Sequence, residues 1–177
     1  MGETRSLKLW RFGIWLLASS LVLTLDQTTK SFMIELLASP PRIISVTPFF
    51  NLVLGFNRGV SFGLLGDLGS WGPMVLSSLA VIITGFLLLW LWKAGHVLDR
   101  AALALIIGGA LGNLSDRVRA GAVTDFLDFY VGSYHWPAFN LADTGIFIGA
   151  GLLIVHSFRR AEKTIQDVAE KDPVERR

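Results

Sequence analysis

Four apolar runs organise this chain, and their lengths point to membrane spans. The first covers about residues 10–37, with Ile14 to Leu25 free of charge before Asp26 and Lys30 interrupt it. The second, about 71–92, has Trp71 and Trp92 at its ends, where rings commonly sit at a membrane interface. The third, about 101–115, is short and carries Gly108, Gly109 and Gly112, which suit close helix packing. The fourth, about 139–158, confines its main polar residues, Asn140, Asp143 and Thr144, to its first turns. A span needs about 20 apolar residues, so a chain of 177 residues holds four spans and their connections but no separate soluble domain. The chain is therefore predicted to be one membrane-embedded domain, 1–177, with no internal repeat.

The connections add detail. Between the first two runs, about 38–70, Pro40, Pro41 and Pro48 flank the β-prone stretches Arg42 to Val46 and Phe49 to Leu54. A small sheet lying on the membrane is predicted there. The fold class is thus an all-α membrane protein of four transmembrane helices with a small β-sheet platform. The tail, 159–177, mixes both charge signs and reads as solvated and partly disordered.

Composition agrees: 52% of residues are hydrophobic and 17% charged, with a mean hydropathy of +0.54, against roughly 25% charged in an average soluble domain. The chain has no cysteine, which excludes disulfides, thiolate metal sites and a cysteine nucleophile. Arg5, Lys8 and Arg11 precede the first apolar run as in a cleavable signal, but the run is too long and lacks a small-x-small site before Asp26, so an uncleaved span is predicted.

Charge sets orientation. With the N-terminus inside, 11 of the 16 basic residues fall on the cytoplasmic side, leaving Lys30, Arg42, Arg58, Arg117 and Arg119 outside. Both termini are predicted to be cytoplasmic. The sequence pI of 9.2 then reflects this bias and anionic lipid, and no nucleic-acid partner is predicted.

This topology gathers polar residues at the outer face. Asp26 and Lys30 lie in the outward half of the first span, Asp116 and Arg117 just past the third, and Asn140 and Asp143 at the start of the fourth. Asn57 and Asp125 belong to the outer connections. Ionisable groups at membrane depth are costly unless paired or functional. Each also has a structural explanation. Asp26 and Lys30 are spaced as a helical ion pair; Asn57 and Gly59 fit an ordinary turn with Gly at positive φ; Asp116 and Arg117 could end the third helix. Asp128 is read as a solvated loop carboxylate. His96, His135 and His156 are spread over both sides, and no metal or other cofactor is predicted. Asp125 and Asp143 would repel if brought together and ionised, so the pair could hold one proton and perform acid/base chemistry. Spacing alone leaves open whether they meet.

The motifs supply more. Leu25-Asp-Gln-Thr-Thr-Lys30, Phe56-Asn-Arg-Gly-Val-Ser-Phe62, Gly108-Gly-Ala-Leu-Gly-Asn-Leu-Ser-Asp-Arg117, Val123-Thr-Asp-Phe126 and Pro137-Ala-Phe-Asn-Leu-Ala-Asp143 follow in order over nearly the whole chain. Together they resemble the lipoprotein signal peptidase (signal peptidase II) family, bacterial aspartic peptidases of the inner membrane. The resemblance implies that Asp125 and Asp143 form a catalytic dyad and that Asn57, Gly59, Asn113, Arg117 and Asn140 support the site or the bound peptide. Asp26 and Lys30 would organise the outer cavity. It implies as substrate a prolipoprotein already diacylglyceryl-modified on the cysteine after the cleavage site, with membrane lipids as the other partner, and a monomer is expected. Val60 and Ser61 depart from the alanines of many members. A small transporter or proton channel and a non-catalytic assembly factor are the rival functions. The first would carry polar residues through to the other face, which the second and fourth runs do not, and the second would need no aspartate pair.

Overall fold

A computed structural model describes residues 5–59 and 71–171. Four helices run antiparallel: α1 (Arg5–Ala38), α2 (Gly72–Lys93), α3 (Val97–Ala120) and α4 (Leu141–Lys171). All four are long and apolar enough to cross a membrane. Four strands, β1 (Ile44–Thr47), β2 (Phe50–Asn57), β3 (Val123–Val131) and β4 (Tyr134–His135), form one antiparallel sheet in that order. The sheet caps the bundle end where α1 and α3 finish and α4 begins.

The bundle is apolar outside and small or polar inside, the arrangement lipid imposes because tails are as hydrophobic as leucine. Leu17, Phe86 and Phe147 are 71%, 68% and 81% exposed, whereas Ser19, Asp26, Lys30 and Asn113 are buried. Helix α3 is central, packing on all three others. Its glycines make that possible. A Cβ on Gly108 would stand 2.6 Å from the Ser19 carbonyl of α1, and one on Gly112 would stand 2.5 Å from Asp26 Oδ2. Towards the terminal end, Leu91, Ala94, Leu103 and Ile107 form a closed apolar core, with Phe12, Trp15 and Leu153 packed against it.

Local chemistry ends each helix. Only three residues, Ala94 to His96, join α2 to α3. His96 Nδ1 accepts the Leu98 N–H at 3.2 Å as the N-cap of α3, and Arg100 Nε donates to the Ala94 carbonyl at 2.8 Å. Gly121 closes α3 at φ 68°, its N–H donating to the Arg117 carbonyl at 3.0 Å.

The four spans and the strands expected near 42–46 and 49–54 are all present. Three expectations need correction. Helix α3 extends from Val97 to Ala120, so Asp116 and Arg117 lie inside its last turns and do not terminate it. The charged stretch after Phe158 continues α4 as helix to Lys171, because good helix formers and no Gly or Pro follow Gly151 until Pro173. Third, the connection after α3, expected as a loop, supplies two strands of the sheet. Val60 and Ser61 lie outside the described residues.

Helix α4 approaches α3 at Gly149, where a Cβ would fall 2.6 Å from the Ala102 carbonyl and 2.7 Å from Ile106 Cγ1. Gly149→Ala should therefore separate the helices and cost about 1–3 kcal/mol. Gly85→Ala meets nothing within 4 Å and should be neutral or slightly stabilising. Thermal melts of the two variants in detergent check the contrast, and equal melting temperatures would contradict the packing.

Candidate active site

Behind the site lies the Lys30 ammonium, 2% exposed. Its three N–H bonds meet three acceptors: Asp26 Oδ2 at 2.8 Å, Asp116 Oδ2 at 2.9 Å and Asn113 Oδ1 at 3.0 Å. An ammonium has no further donor and no acceptor, so the group is satisfied. The two carboxylates then reach outward. Asp26 Oδ1 accepts the Ala142 N–H in the first turn of α4 at 2.9 Å. Asp116 Oδ1 accepts from Gln27 Nε2 at 2.8 Å, and its Oδ2 accepts the Thr124 N–H at 3.1 Å, tying β3 to the end of α3.

Two asparagines carry this order to the aspartates. Asn113 Oδ1 accepts from both Lys30 and, at 3.2 Å, Asn140 Nδ2, so its amide nitrogen is turned to donate to Asp143 Oδ1 at 2.7 Å. Asn140 and Asp143 cap α4 reciprocally: Asn140 Oδ1 accepts the Asp143 N–H at 2.9 Å, and Asp143 Oδ2 accepts the Asn140 N–H at 3.3 Å. The fully buried Asn140 side chain also donates to Asp125 Oδ1 at 2.7 Å. Asn140 is brought beside β3 by backbone bonds that use Phe139. The Phe126 and Leu127 N–H groups donate to the Phe139 carbonyl at 3.0 and 2.8 Å, and the Phe139 N–H donates to the Leu127 carbonyl at 3.1 Å.

Asp125 and Asp143 open into one cavity of about 340 Å³ together with Asn57, Gly59, Asn113 and Arg117, walled by Val123, Trp136 and Phe139. Arg117 is coupled electrostatically to both aspartates, and its Nε is buried without a hydrogen-bond partner among the described residues. Asn57 Oδ1 accepts the Gly59 N–H at 3.0 Å, a tight Asx turn at the rim. Burial and then the Asp143 charge push the Asp125 pKa up to about 6, against hydrogen bonds from Asn140 and Asn57 that favour its ionised form.

Every residue singled out in the sequence for this site is thus in it or directly behind it. Asp26, Lys30 and Asn140 form the backing, while Asp125, Asp143, Asn57, Gly59, Asn113 and Arg117 line the cavity. The turn at Asn57 forms, but φ at Gly59 is not positive; among described glycines only Gly121 and Gly132 are. Asp128 is not a solvated loop carboxylate. It is buried, accepting from Asn51 Nδ2 at 3.1 Å and bonded to His135 Nδ1 at 2.9 Å, because β2 sets Asn51 opposite it in the ladder and β4, on the other side of β3, carries His135. Gln27 and Thr124 were missed. Gln27 sits one residue after Asp26 on α1, and only the paired position of α3 reveals its use.

Comparison with known proteins follows the same outline. Residues 18–159 match the family model described as "Signal peptidase (SPase) II". A protein of Aeromonas hydrophila subsp. hydrophila named lipoprotein signal peptidase is 46% identical over 151 residues, 84% of this chain and 90% of its own. One of the same name from Cupriavidus taiwanensis is 46% identical over 154 residues, 85% of each chain. Two solved structures, each described as a bacterial membrane enzyme, superpose with TM-scores of 0.69 and 0.66 at 29% and 30% identity. They cover 93% and 81% of this chain and 95% and 92% of theirs.

The raised pKa of Asp125 makes stability depend on pH. The folded protein holds this proton up to about pH 6, whereas an ordinary carboxylate releases it near 3.8. Stability is therefore lost as pH rises through that window, and the loss is complete above it. Asp125→Asn removes the ionisation. Relative to the native chain, the variant should gain on the order of 2–3 kcal/mol between about pH 4 and pH 8. Paired thermal melts across that range measure the gain, and a constant offset would refute it.

Proposed function

This chain belongs to the signal peptidase II family, and we propose that it is an aspartic endopeptidase that removes the signal peptide from diacylglyceryl-modified prolipoproteins, cleaving before the lipid-bearing cysteine. The observation that carries the proposal is the shared cavity of Asp125 and Asp143, each carboxylate held at 2.7 Å by the amide of one asparagine. The Asp143 charge raises the Asp125 pKa, so two carboxylates facing one cavity can hold a single proton between them. The ionised member takes a proton from a water, which attacks the scissile carbonyl carbon, while the protonated member donates to the carbonyl oxygen. Collapse of the tetrahedral intermediate expels the cysteine amine, which receives a proton from the dyad. No covalent intermediate forms.

The neighbours have roles suited to a peptide. The buried Arg117 Nε offers a donor to a peptide carbonyl, and the Asn57 turn shapes the rim beside it. Apolar surfaces of Trp136 and Phe139 beside the dyad suit residues flanking the cleaved bond. A lipid-modified precursor keeps its acyl chains and signal helix in the bilayer and presents its scissile bond at the interface, the level of the sheet-capped end. One chain supplies every residue of the cavity, which supports a monomer as the acting unit. It resides in the bacterial inner membrane with both termini cytoplasmic and the sheet end extracytoplasmic, in keeping with the basic-residue split.

Substituting either carboxylate separates chemistry from folding. Asn cannot exchange a proton, so Asp125→Asn and Asp143→Asn should each lower cleavage of a purified lipid-modified precursor by roughly 10²–10⁴-fold. Asp128→Asn keeps an acceptor for Asn51 and should lose less than about tenfold. Normal cleavage by Asp125→Asn would refute the dyad.

Orientation has its own test. Ser45→Cys lies on β1 and Thr164→Cys on the end of α4, both exposed in a chain without native cysteine. An impermeant reagent outside intact cells should label only the first. Labelling of Thr164→Cys alone would invert the topology.

A further inference from the structure

At the end of the bundle opposite the aspartates, α2, the short turn after it and α4 enclose a second cavity of about 820 Å³. Four cations face it, Lys93 from the last turn of α2 and Arg159, Arg160 and Lys163 from α4. None of the four forms an ion pair among the described residues. The one carboxylate lining the cavity, Asp99, is engaged by His156 Nδ1 at 2.6 Å. The His156 ring stacks on His96 with centroids 4.1 Å apart, and His96 is fixed in turn as the N-cap of α3. The cavity therefore has a braced floor beneath clustered positive charge. From Asp99 to Asn113 along α3 is roughly 20 Å at about 1.5 Å per residue, so this site is separate from the dyad.

We propose that this cavity binds the phosphodiester headgroup of an anionic phospholipid from the surrounding bilayer. Like charges gathered in one concavity repel unless an anion joins them, and a phosphodiester accepts hydrogen bonds from several cations at once. The level of the site selects lipid over free phosphate. Lys93 ends the apolar helix α2, and Arg159 follows Phe158 where the apolar part of α4 gives way to charge. Those transitions lie at headgroup depth, where basic pockets between spanning helices bind acidic headgroups. Trp90, half exposed on the wall, is the interfacial ring expected beside a glycerol backbone and first methylenes.

The test uses the full chain in neutral detergent, titrated separately with phosphatidylglycerol, phosphatidylcholine and inorganic phosphate. Phosphatidylglycerol should raise the melting temperature by at least ~3 °C, with no rise from the other two. The double variant Arg159→Gln/Lys163→Gln should melt like the native chain without lipid and lose that rise, while Lys8→Gln, a basic residue on the same end outside the cavity, should keep it. Native mass spectrometry of the unaltered chain supplies a check that needs no variant: one phosphatidylglycerol retained in preference to phosphatidylcholine. Equal effects of the two lipids, a rise with phosphate alone, persistence of the rise in the double variant, or equal loss in Lys8→Gln would each overturn the proposal.

Discussion

The geometry of the aspartate cavity depends on one buried charge, the Lys30 ammonium. An ion at membrane depth is tolerated only when paired and fully hydrogen-bonded, and Lys30 meets that condition by drawing α1 and α3 into one register: Asp26 from its own helix, Asn113 and Asp116 from its neighbour. Two carboxylates against one ammonium leave a surplus negative charge. Backbone dipoles offset it. The Ala142 N–H at the positive end of α4 serves Asp26, and the Thr124 N–H at the start of β3 serves Asp116. The same network therefore satisfies the ions and fixes the elements that carry Asp143 and Asp125. Removing either carboxylate would leave one Lys30 N–H without its acceptor and release the backbone N–H that carboxylate holds, Ala142 for Asp26 or Thr124 for Asp116, so residues that never line the cavity still set its geometry.

The network also dictates which way the amides point. An asparagine side chain can flip at small cost when its neighbours accept and donate alike, but Asn113 is held by an obligate donor. Lys30 demands the carbonyl oxygen, so the nitrogen must face Asp143. Asn140 is constrained similarly, because capping α4 uses its oxygen and leaves nitrogen for Asp125. Chemistry at the dyad thus begins with oriented donors. Gly112 is the packing counterpart: any side chain there would displace the Asp26 carboxylate.

Much of this was legible in the sequence, for identifiable reasons. Four spans are written in length and hydropathy, and the polar motifs carry every polar residue lining the cavity, although not Trp136 of its wall. What the sequence hid is pairing. Val123 to Val131 alternates too weakly to announce a strand, since its residues are buried on both faces through Asp128 with only Leu127 less so. Asp128 therefore read as a solvated carboxylate, although its neighbours Asn51 and His135, far away in sequence or across a turn, bury it. Gln27 was equally silent, because an amide in an apolar helix declares no partner until α3 is set against it.

Register in the sheet completes the site, because a shift of one residue would turn Asp125 to the opposite face. Several contacts oppose such a shift. Asn51 stands opposite Asp128 in the ladder and donates to it, and Phe50 stacks on Phe129 at 4.7 Å one step further on. Beyond them β2 takes three steps, Leu52 to Gly55, where β3 takes two, Leu127 to Asp125. Such a bulge bends a strand and re-aims its side chains, and it lies between the register-fixing pairs and the cavity. Asp128 and Asp125, three residues apart, hence serve opposite faces of one strand. The first anchors the ladder to β2 and His135, and that anchoring keeps the second turned towards Asn140 and Asp143.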